Sequence, residues 1–151
     1  MTSDPKSSSS AKTGMDRLDA LWAWGREFLG CRYAILGGAM TWVSDHGLVA
    51  AISNAGGFGV LATGSMSPEQ LDAEIAATQD ATDKPFGVNV ITIAPMYKEH
   101  LELLKKMKMP FVIFAGSFPR GPEVQMMKDA GSKVMCFAST VSIARRMLKY
   151  G

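Results

Sequence analysis

The stretch PFGVNV, residues 85–90, decides how the rest of the sequence is interpreted. From Phe86 to Val90 the run is apolar apart from Asn89, and it does not alternate between polar and apolar side chains. Continuous apolar runs of this length are typical of parallel strands that are covered on both faces. The run therefore predicts a buried strand, and Asn89 near its end is a candidate functional residue. On the sequence alone, the same asparagine could equally cap the loop that follows.

Four further runs of this kind flank that strand, and helical patterns separate them. The five predicted strands are Tyr33–Leu36, Phe58–Ala62, Phe86–Val90, Phe111–Phe114 and Val134–Phe137. They begin near residues 33, 58, 86, 111 and 133, so their spacings are 25, 28, 25 and 22 residues. Regular alternation of strands and helices predicts a parallel α/β sheet with right-handed crossovers. Periodicity leaves two architectures open, a five-stranded flavodoxin-like sheet and the first five units of a (β/α)8 barrel.

The helices between the strands have recognisable ends. The clearest is SPEQ, residues 67–70, in which Ser67 can cap a helix, Pro68 suits its first turn and Gln70 can complete a capping box. Asp45 is predicted to open the helix before it. The last two helices are predicted over Pro122–Ala130 and Val141–Lys149.

The N-terminal region divides into a tail and a helix. Residues 1–14 contain four consecutive serines, a proline and a glycine, and such a composition cannot bury enough apolar surface to offset the entropy of ordering. We therefore predict a disordered tail over residues 1–14. Apolar residues then recur at helical spacing from Asp16 to Leu29, and Gly30 supplies a stop. The sequence predicts one domain over residues 15–151, which begins with a preliminary helix at 15–30.

The composition argues against several classes of partner. Lys and Arg number 16 and Asp and Glu 14, and the resulting charge of +2 gives no reason to expect nucleic acid or an anionic membrane surface. No apolar stretch approaches the roughly 20 residues that cross a bilayer. Two cysteines, Cys31 and Cys136, are too few for a disulfide scaffold and lack metal-ligand spacing. We therefore expect a cytoplasmic protein with reduced thiols and without a metal site.

Four segments together resemble the nitronate monooxygenase family, which also includes the flavin-type enoyl-ACP reductases. They are LGGAMTWVS at 36–44, AISNAGGFG at 51–59, TDKPFGVN at 82–89 and AGSKV at 130–134. Each motif alone is moderately specific, but the four follow in the family's order, and the resemblance covers about residues 30–151. It implies a (β/α)8 TIM barrel, of which this chain looks like about the first five βα units, the N-terminal half. The resemblance therefore favours the barrel over the flavodoxin-like sheet.

The resemblance also implies an FMN site at the carboxyl ends of the strands. The cofactor-binding residues that it implies are Gly38, Ala39, Met40, Asn89 and Gly116. The first three match positions whose backbone lies along the isoalloxazine ring. Asn89 matches an asparagine that contacts the flavin, and Gly116 lies in a small-residue turn that lines the cofactor site. Backbone amides at such a site can hydrogen-bond the polar edge of the ring.

No catalytic residue is assigned within this sequence. The two histidines, His46 and His100, are predicted inside helices and not at strand ends, where acid–base chemistry would need them. In the family that the chain resembles, the catalytic histidine belongs to an AGGH segment after the next strand. The phosphate-binding loops follow the seventh and eighth strands, so both features are expected outside these 151 residues.

The resemblance implies an FMN-dependent oxidoreductase that oxidises alkyl nitronates or nitroalkanes with O2. A flavin-type enoyl-ACP reductase is the alternative among enzymes, because the substrate-selecting segments are expected outside this sequence. A non-catalytic remnant is the alternative outside enzymes. The expected partner is a small-molecule substrate, either a nitronate or an enoyl thioester. Five strands of an eight-stranded barrel would leave two sheet edges free, so we also expect copies of the chain to associate.

Overall fold

The computed structural model describes residues 13–150 as a single parallel sheet with helices between its strands. The strands are β1 Leu36–Gly37, β2 Phe58–Ala62, β3 Phe86–Ile91, β4 Phe111–Ala115 and β5 Lys133–Cys136. The helices are α1 Gly14–Leu29, α2 His46–Asn54, α3 Pro68–Ala81, α4 Tyr97–Met107, α5 Gly121–Asp129 and α6 Val141–Met147, and a 3₁₀ turn follows at Leu148–Tyr150. Within residues 13–150, none of the helices combines the length and apolarity that crossing a membrane requires.

The order of the strands decides between the two architectures. The sheet runs β1-β2-β3-β4-β5, and every neighbouring pair is parallel. A flavodoxin-like sheet has the order 2-1-3-4-5, because the chain reverses direction across the sheet after its first unit. A barrel instead adds each strand beside the one before it. The consecutive order is therefore that of the first five units of a TIM barrel, as the resemblance implied.

The two faces of the sheet carry separate apolar clusters. The larger lies between the sheet and helices α2 to α5, and we call this side the helix face. Its buried members include Leu61, Val88 and Phe114 from the strands, together with Ile75 and Leu104 from the helices. The opposite side, the α1 face, buries a smaller cluster. Its members are Leu29, Phe58, Val60, Phe111 and Ile113.

Helix α1 covers the amino-terminal part of the second face. Phe28 meets Phe111 edge to face, with ring centroids 6.2 Å apart. Lys133, at the start of β5, donates from Nζ to the Phe28 carbonyl at 2.6 Å, and its ammonium lies 5.2 Å from the centre of the Phe28 ring. The last strand thus holds the carboxyl end of the first helix, which has carbonyls without helical partners.

The predicted helix starts at Asp45 and Ser67 are confirmed, and in both the polar side chain caps the helix. The Ser67 hydroxyl accepts from the Gln70 amide, and the Gln70 side chain accepts in return from the Ser67 amide at 2.8 Å. Asp45 caps α2 by accepting from the Leu48 amide at 3.0 Å. Helix α1 begins earlier than predicted, because Thr13 forms a capping box with Asp16. The predicted tail over 1–14 is therefore wrong at residues 13 and 14, and residues 1–12 lie outside the described residues.

The first strand differs most from its prediction. It was predicted over Tyr33–Leu36, whereas the ladder with β2 spans only Leu36 and Gly37. The chain does run beside β2 before that point, since the Tyr33 amide donates to the Gly56 carbonyl at 2.8 Å. The chain bends there, since the Ile35 amide donates to the Tyr33 carbonyl at 2.7 Å, so these residues do not form a regular ladder. The short pairing leaves the outer edge of this segment without a neighbour among the described residues.

A buried histidine links α4 to the loop after β2. His100 is 1% exposed, and its Nε2 donates to the Met66 carbonyl at 3.0 Å, whereas Nδ1 has no partner among the described residues. Burial lowers the pKa of His100 below its ordinary value. The imidazole therefore stays neutral at pH 7, with its proton on the nitrogen that faces Met66.

Gly59→Ala should strongly destabilise the protein. A Cβ on Gly59 would meet the carbonyl oxygen of Val49 and lie 2.9 Å from the Cα of Val49, and backbone of a packed helix cannot give way cheaply. We expect a loss of about 1–3 kcal/mol in the free energy of unfolding, measured by urea denaturation. The matched control is Gly47→Ala, whose Cβ would lie 3.5 Å from its nearest neighbour. Equal effects of the two substitutions would contradict this packing of α2.

Stability should fall as the pH drops below about 6.5, the ordinary value for histidine, because the unfolded chain binds a proton that His100 resists when folded. His100 changes the free energy of unfolding by at most about 1.4 kcal/mol per pH unit. His100→Gln keeps a donor for the Met66 carbonyl and does not titrate. Urea denaturation from pH 8 to pH 5 should show a flatter profile for this variant, and parallel profiles would contradict the assignment.

Candidate functional site

The loop after β1 is shaped by one buried hydroxyl. Ser44 Oγ donates to the Gly38 carbonyl at 3.1 Å and accepts from the Met40 amide at 3.0 Å. The Met40 carbonyl also accepts from the amides of Val43 and Ser44 at 3.0 and 2.9 Å. Residues 38–44 are therefore held by their own hydrogen bonds. Sequence reasoning missed Ser44, although it is the last residue of the LGGAMTWVS motif.

The three predicted residues of this loop, Gly38, Ala39 and Met40, differ in the open space and the free hydrogen-bond donors that they present to a ligand. A Cβ on Gly38 would meet nothing within 4 Å, so the space beside its backbone is open. The Ala39 amide has no acceptor among the described residues, and its side chain packs on the cluster of the α1 face. The Met40 amide is already used by Ser44, and its side chain is 51% exposed. The loop thus presents free backbone donors, the Ala39 amide among them, next to an open glycine.

Asn89 lies in β3, with its side chain on the α1 face. The register pairs it with Ala62 of β2 and Ile113 of β4. It is 5% exposed, and its Nδ2 donates to the Ile113 carbonyl at 3.1 Å. Its Oδ1 accepts no hydrogen bond from the described residues. The bond to β4 fixes the amide and leaves the side-chain oxygen as an oriented acceptor.

Glycines follow β2 and β4, and both lie against the Ile91 side chain at the end of β3. Gly116 follows β4 with a φ of +89°, and a Cβ there would lie 2.9 Å from Ile91 Cγ2. Gly64 follows β2, and a Cβ there would lie 2.6 Å from Ile91 Cδ1. The Ile91 side chain therefore occupies the space that side chains at both positions would need. Gly64 was missed by sequence reasoning, which had no local signal for its contact with β3.

A shared carboxylate holds the loop after β4. Glu123 Oε2 accepts from the Tyr97 hydroxyl at 2.9 Å and from the Arg120 amide at 2.8 Å. Burial, reinforced by the adjacent Glu123, raises the pKa of the Tyr97 phenol well above its usual value. Tyr97 therefore remains a hydrogen-bond donor at any physiological pH. The bond ties the segment that contains Gly116 to the beginning of α4.

Several loops at this end of the sheet expose large apolar side chains. These are Met40 after β1, Ile93 after β3, Phe118 after β4 and Phe137 after β5. The carboxyl ends of parallel strands meet at one edge, where folds of this type bind ligands. The predicted residues are thus brought to one edge of the sheet, on three of its strands, and the surroundings are largely apolar.

Neither histidine is available for proton transfer at this edge. His46 Nδ1 and its amide both contact Glu74 Oε2, at 3.0 and 2.7 Å, on the surface between α2 and α3. His100 is buried beneath the loop after β2, as described above. Across residues 13–150, no three His, Cys, Asp or Glu side chains come together in a way that would hold a metal ion. The described edge thus offers backbone amides, one fixed amide side chain and apolar surface.

Comparison with known proteins gives a consistent family. The model of the family described as nitronate monooxygenase matches residues 25–100. The dehydrogenase of (3aS,4S,5R,7aS)-5-hydroxy-7a-methyl-1-oxo-octahydro-1H-indene-4-carboxyl-CoA from Mycobacterium tuberculosis is 32% identical over 125 residues, which are 83% of this chain and 35% of that protein. A probable nitronate monooxygenase of Staphylococcus aureus is 24% identical over 78% of this chain and 43% of its own length.

A solved structure supports the same assignment. FabK from Thermotoga maritima has a TM-score of 0.80 and 32% identity, over 83% of this chain and 40% of the FabK chain. The chain thus spans less than half the length of the proteins it matches here. The consecutive parallel strands agree with the barrel fold of this neighbour, and the family match includes β1, β2, β3 and the loop after β1. The chain therefore belongs to the nitronate monooxygenase family.

Proposed function

We propose that the loops after β1 and β4, together with the carboxyl end of β3, bind the isoalloxazine ring of FMN, and that the chain belongs to a flavin-dependent oxidoreductase. The observation that carries the proposal is the open space at Gly38, where a side chain would meet nothing within 4 Å. A glycine whose side-chain space the protein itself leaves empty suits the close approach of a flat ligand to the backbone. The family assignment supports a flavin as that ligand.

The residues present fit the ring in three respects. The Ala39 amide is a free donor for the polar edge of the ring. Asn89 Oδ1 is an acceptor whose direction is set by the bond from Nδ2 to the Ile113 carbonyl. Ile91, with Gly64 and Gly116 on either side, forms an apolar floor without projecting side chains. Preorganised groups of this kind bind without a cost of rearrangement.

When bound, FMN would supply the capacity to accept and return electrons. The chain's own residues orient the ring and restrict water around it. The Ala39 amide and the Asn89 side chain fix which edge of the ring faces the backbone. The apolar side chain of Ile91 lies beside Gly64 and Gly116, where it would limit access of solvent. Gly116 belongs to the same edge, and its φ of +89° is a backbone conformation that residues with side chains rarely adopt.

Oxidation of an alkyl nitronate or nitroalkane with O2 is the first candidate reaction, and the family match supports it. Reduction of an enoyl thioester is the second candidate. The observation that favours it is the exposure of Met40, Ile93, Phe118 and Phe137 around the same edge, since such a surface suits a substrate with a long apolar portion. The M. tuberculosis relative, which by its name acts on a bicyclic carboxyl-CoA, supports the same candidate.

Gly38→Val should abolish flavin binding while leaving the fold intact, because its side chain would fill the space that the ring needs. Asn89→Ala should weaken binding about 5- to 150-fold, as expected for the loss of one buried hydrogen bond worth about 1–3 kcal/mol. The probes are FMN and riboflavin, titrated against the 151-residue chain by flavin fluorescence and by amide NMR. The wild-type amide signal of Ala39 should shift on binding.

The matched control is Gly14→Val, at a glycine that also has no neighbour within 4 Å of a Cβ but lies in α1. It should bind flavin as the wild type does. The chain is expected to bind FMN weakly and with little preference over riboflavin. The residues assigned to the site contact the isoalloxazine ring, which the two molecules share. Unchanged binding in Gly38→Val would contradict the ring site, and unchanged binding in Asn89→Ala would leave Asn89 only its structural hydrogen bond to β4.

The two reactions are separated by assay of the flavin-loaded protein. O2 uptake that depends on propyl-2-nitronate supports the first candidate. Oxidation of NADPH that depends on crotonyl-CoA supports the second. Bound flavin without either activity identifies this chain as a ring-binding part that lacks the proton-transfer group, consistent with the positions of His46 and His100.

A further inference from the structure

A cavity of about 300 Å³ lies beside the amino-terminal ends of α2 and α3. Its apolar lining comes from Trp42 and Val43 in the loop after β1, Met66 in the loop after β2, and Ala73 in α3. None of the residues proposed to bind the flavin ring lines this cavity. It is therefore a separate feature of the surface, and we call it the α2–α3 cavity.

Trp42 is the largest side chain of this lining, and it is 86% exposed. Its φ of +68° lies in the left-handed region, which a bulky residue rarely adopts. Neither property stabilises the chain, because burial of the indole and a relaxed backbone would both be favourable. Strained residues of this kind cluster at sites that bind another molecule. The loop thus holds an aromatic ring in solvent beside an apolar cavity.

Two carboxylates, Asp45 and Glu74, complete the lining, and each has one oxygen fixed and one unused. Asp45 Oδ1 accepts from the Leu48 amide, whereas Oδ2 accepts nothing from the described residues. Glu74 Oε2 accepts from the His46 amide at 2.7 Å and contacts His46 Nδ1, whereas Oε1 has no partner among the described residues. An aromatic ring beside free carboxylate oxygens suits a guanidinium, which stacks on the ring and donates to the oxygens.

The acidic character extends well beyond the cavity. Residues 33–83 contain six acidic residues and no lysine or arginine, which gives −6 in a chain whose net charge is +2. Of the six, Glu69, Asp72 and Asp80 are exposed on α3. Asp80 lies in the last turn of α3, where an acidic residue opposes the helix dipole and no basic residue offsets it. This charge does not serve the stability of α3, and it is complementary to a basic partner.

The outward face of α3 is enclosed by described elements. Helix α3 contacts α2 on one side and α4 on the other. Further strands of a barrel would join the sheet at its outer strands, away from this face. From Glu69 to Asp80 the helix rises about 17 Å, which is longer than one small cation can cover. A segment that carries several cations would gain from all of these carboxylates.

We propose that the α2–α3 cavity and the acidic face of α3 dock a basic segment of a partner protein. An arginine of that segment enters the cavity, stacks on the Trp42 ring and donates to the free oxygens of Asp45 and Glu74. Other cations of the segment lie along α3. The proposal goes beyond the proposed function and does not depend on it, because the cavity shares no residue with the ring site.

Fluorescence anisotropy of labelled octa-arginine, titrated with the 151-residue chain in about 50 mM NaCl, tests the proposal. Trp42→Gly removes the ring and suits the positive φ, and it should weaken binding about 2- to 30-fold. Trp42→Phe keeps an aromatic ring and should retain most of the affinity. Trp24→Ala, at an exposed tryptophan of α1, is the matched control and should bind as the wild type does. On binding, the indole NMR signal of Trp42 should shift and that of Trp24 should not.

A second pair of variants tests the acidic face of α3. Glu69→Gln with Asp72→Asn removes two exposed charges from α3 and should weaken binding at least about threefold. Glu102→Gln with Asp129→Asn removes two exposed charges from α4 and α5, and this matched control should bind nearly as the wild type does. The difference between the two should shrink at about 0.5 M NaCl because salt screens the attraction. Thermal unfolding checks that every variant is folded.

Four outcomes would overturn the proposal. The first is a wild-type chain that does not bind octa-arginine, and the second is an affinity that Trp42→Gly leaves unchanged. Equal losses in the two charge variants would show attraction by net charge alone. Finally, acetyl-arginine amide that binds as tightly as octa-arginine would show a site for a small cation instead of a docking surface for a protein segment.

Discussion

The contact between Lys133 and Phe28 links the first helix to the last strand, and much of the structure depends on it. A parallel sheet needs cover on both faces. Helices α2 to α5 cover one face because the crossovers place them there, but nothing in the βα repeat covers the other. Helix α1 covers the amino-terminal part of that face, with Phe28 against Phe111 and the Lys133 ammonium on the Phe28 carbonyl. If α1 were to leave, Phe111 would lose its edge-to-face contact with Phe28.

Much of the fold could be predicted from the sequence because its signals are local. The parallel strands follow from continuous apolar runs, and the start of α3 follows from four adjacent residues, Ser67 to Gln70. The length of β1 could not be predicted, because the ladder depends on how Leu36 meets Phe58 across 22 residues of chain. The start of α1 was placed too late, because Thr13 adjoins a serine-rich stretch whose composition argued against order.

The site was less accessible to sequence reasoning, and for a different reason. Glycines and an asparagine can be read as site residues only through resemblance, and their roles toward a flavin stay a prediction. What the structure adds is non-local: the bond from Asn89 to the Ile113 carbonyl, and the position of Gly64 against Ile91. Composition and spacing cannot predict such contacts, because each one joins two neighbouring strand ends whose residues are about 25 positions apart in the sequence. The histidines show the converse, since their placement away from the strand ends could be predicted from helical spacing.

The hydroxyl of Ser44 has a kinetic consequence for whatever approaches the loop after β1. Because it bonds to both the Gly38 carbonyl and the Met40 amide, the loop holds its shape before a ligand arrives. Association then needs no slow search among loop conformations, and the rate of encounter is set by diffusion and orientation. A ligand that binds weakly to such a rigid surface does so by leaving quickly, not by arriving slowly. Additional contacts around this edge would therefore lengthen the residence time of a ligand and would change its rate of association little.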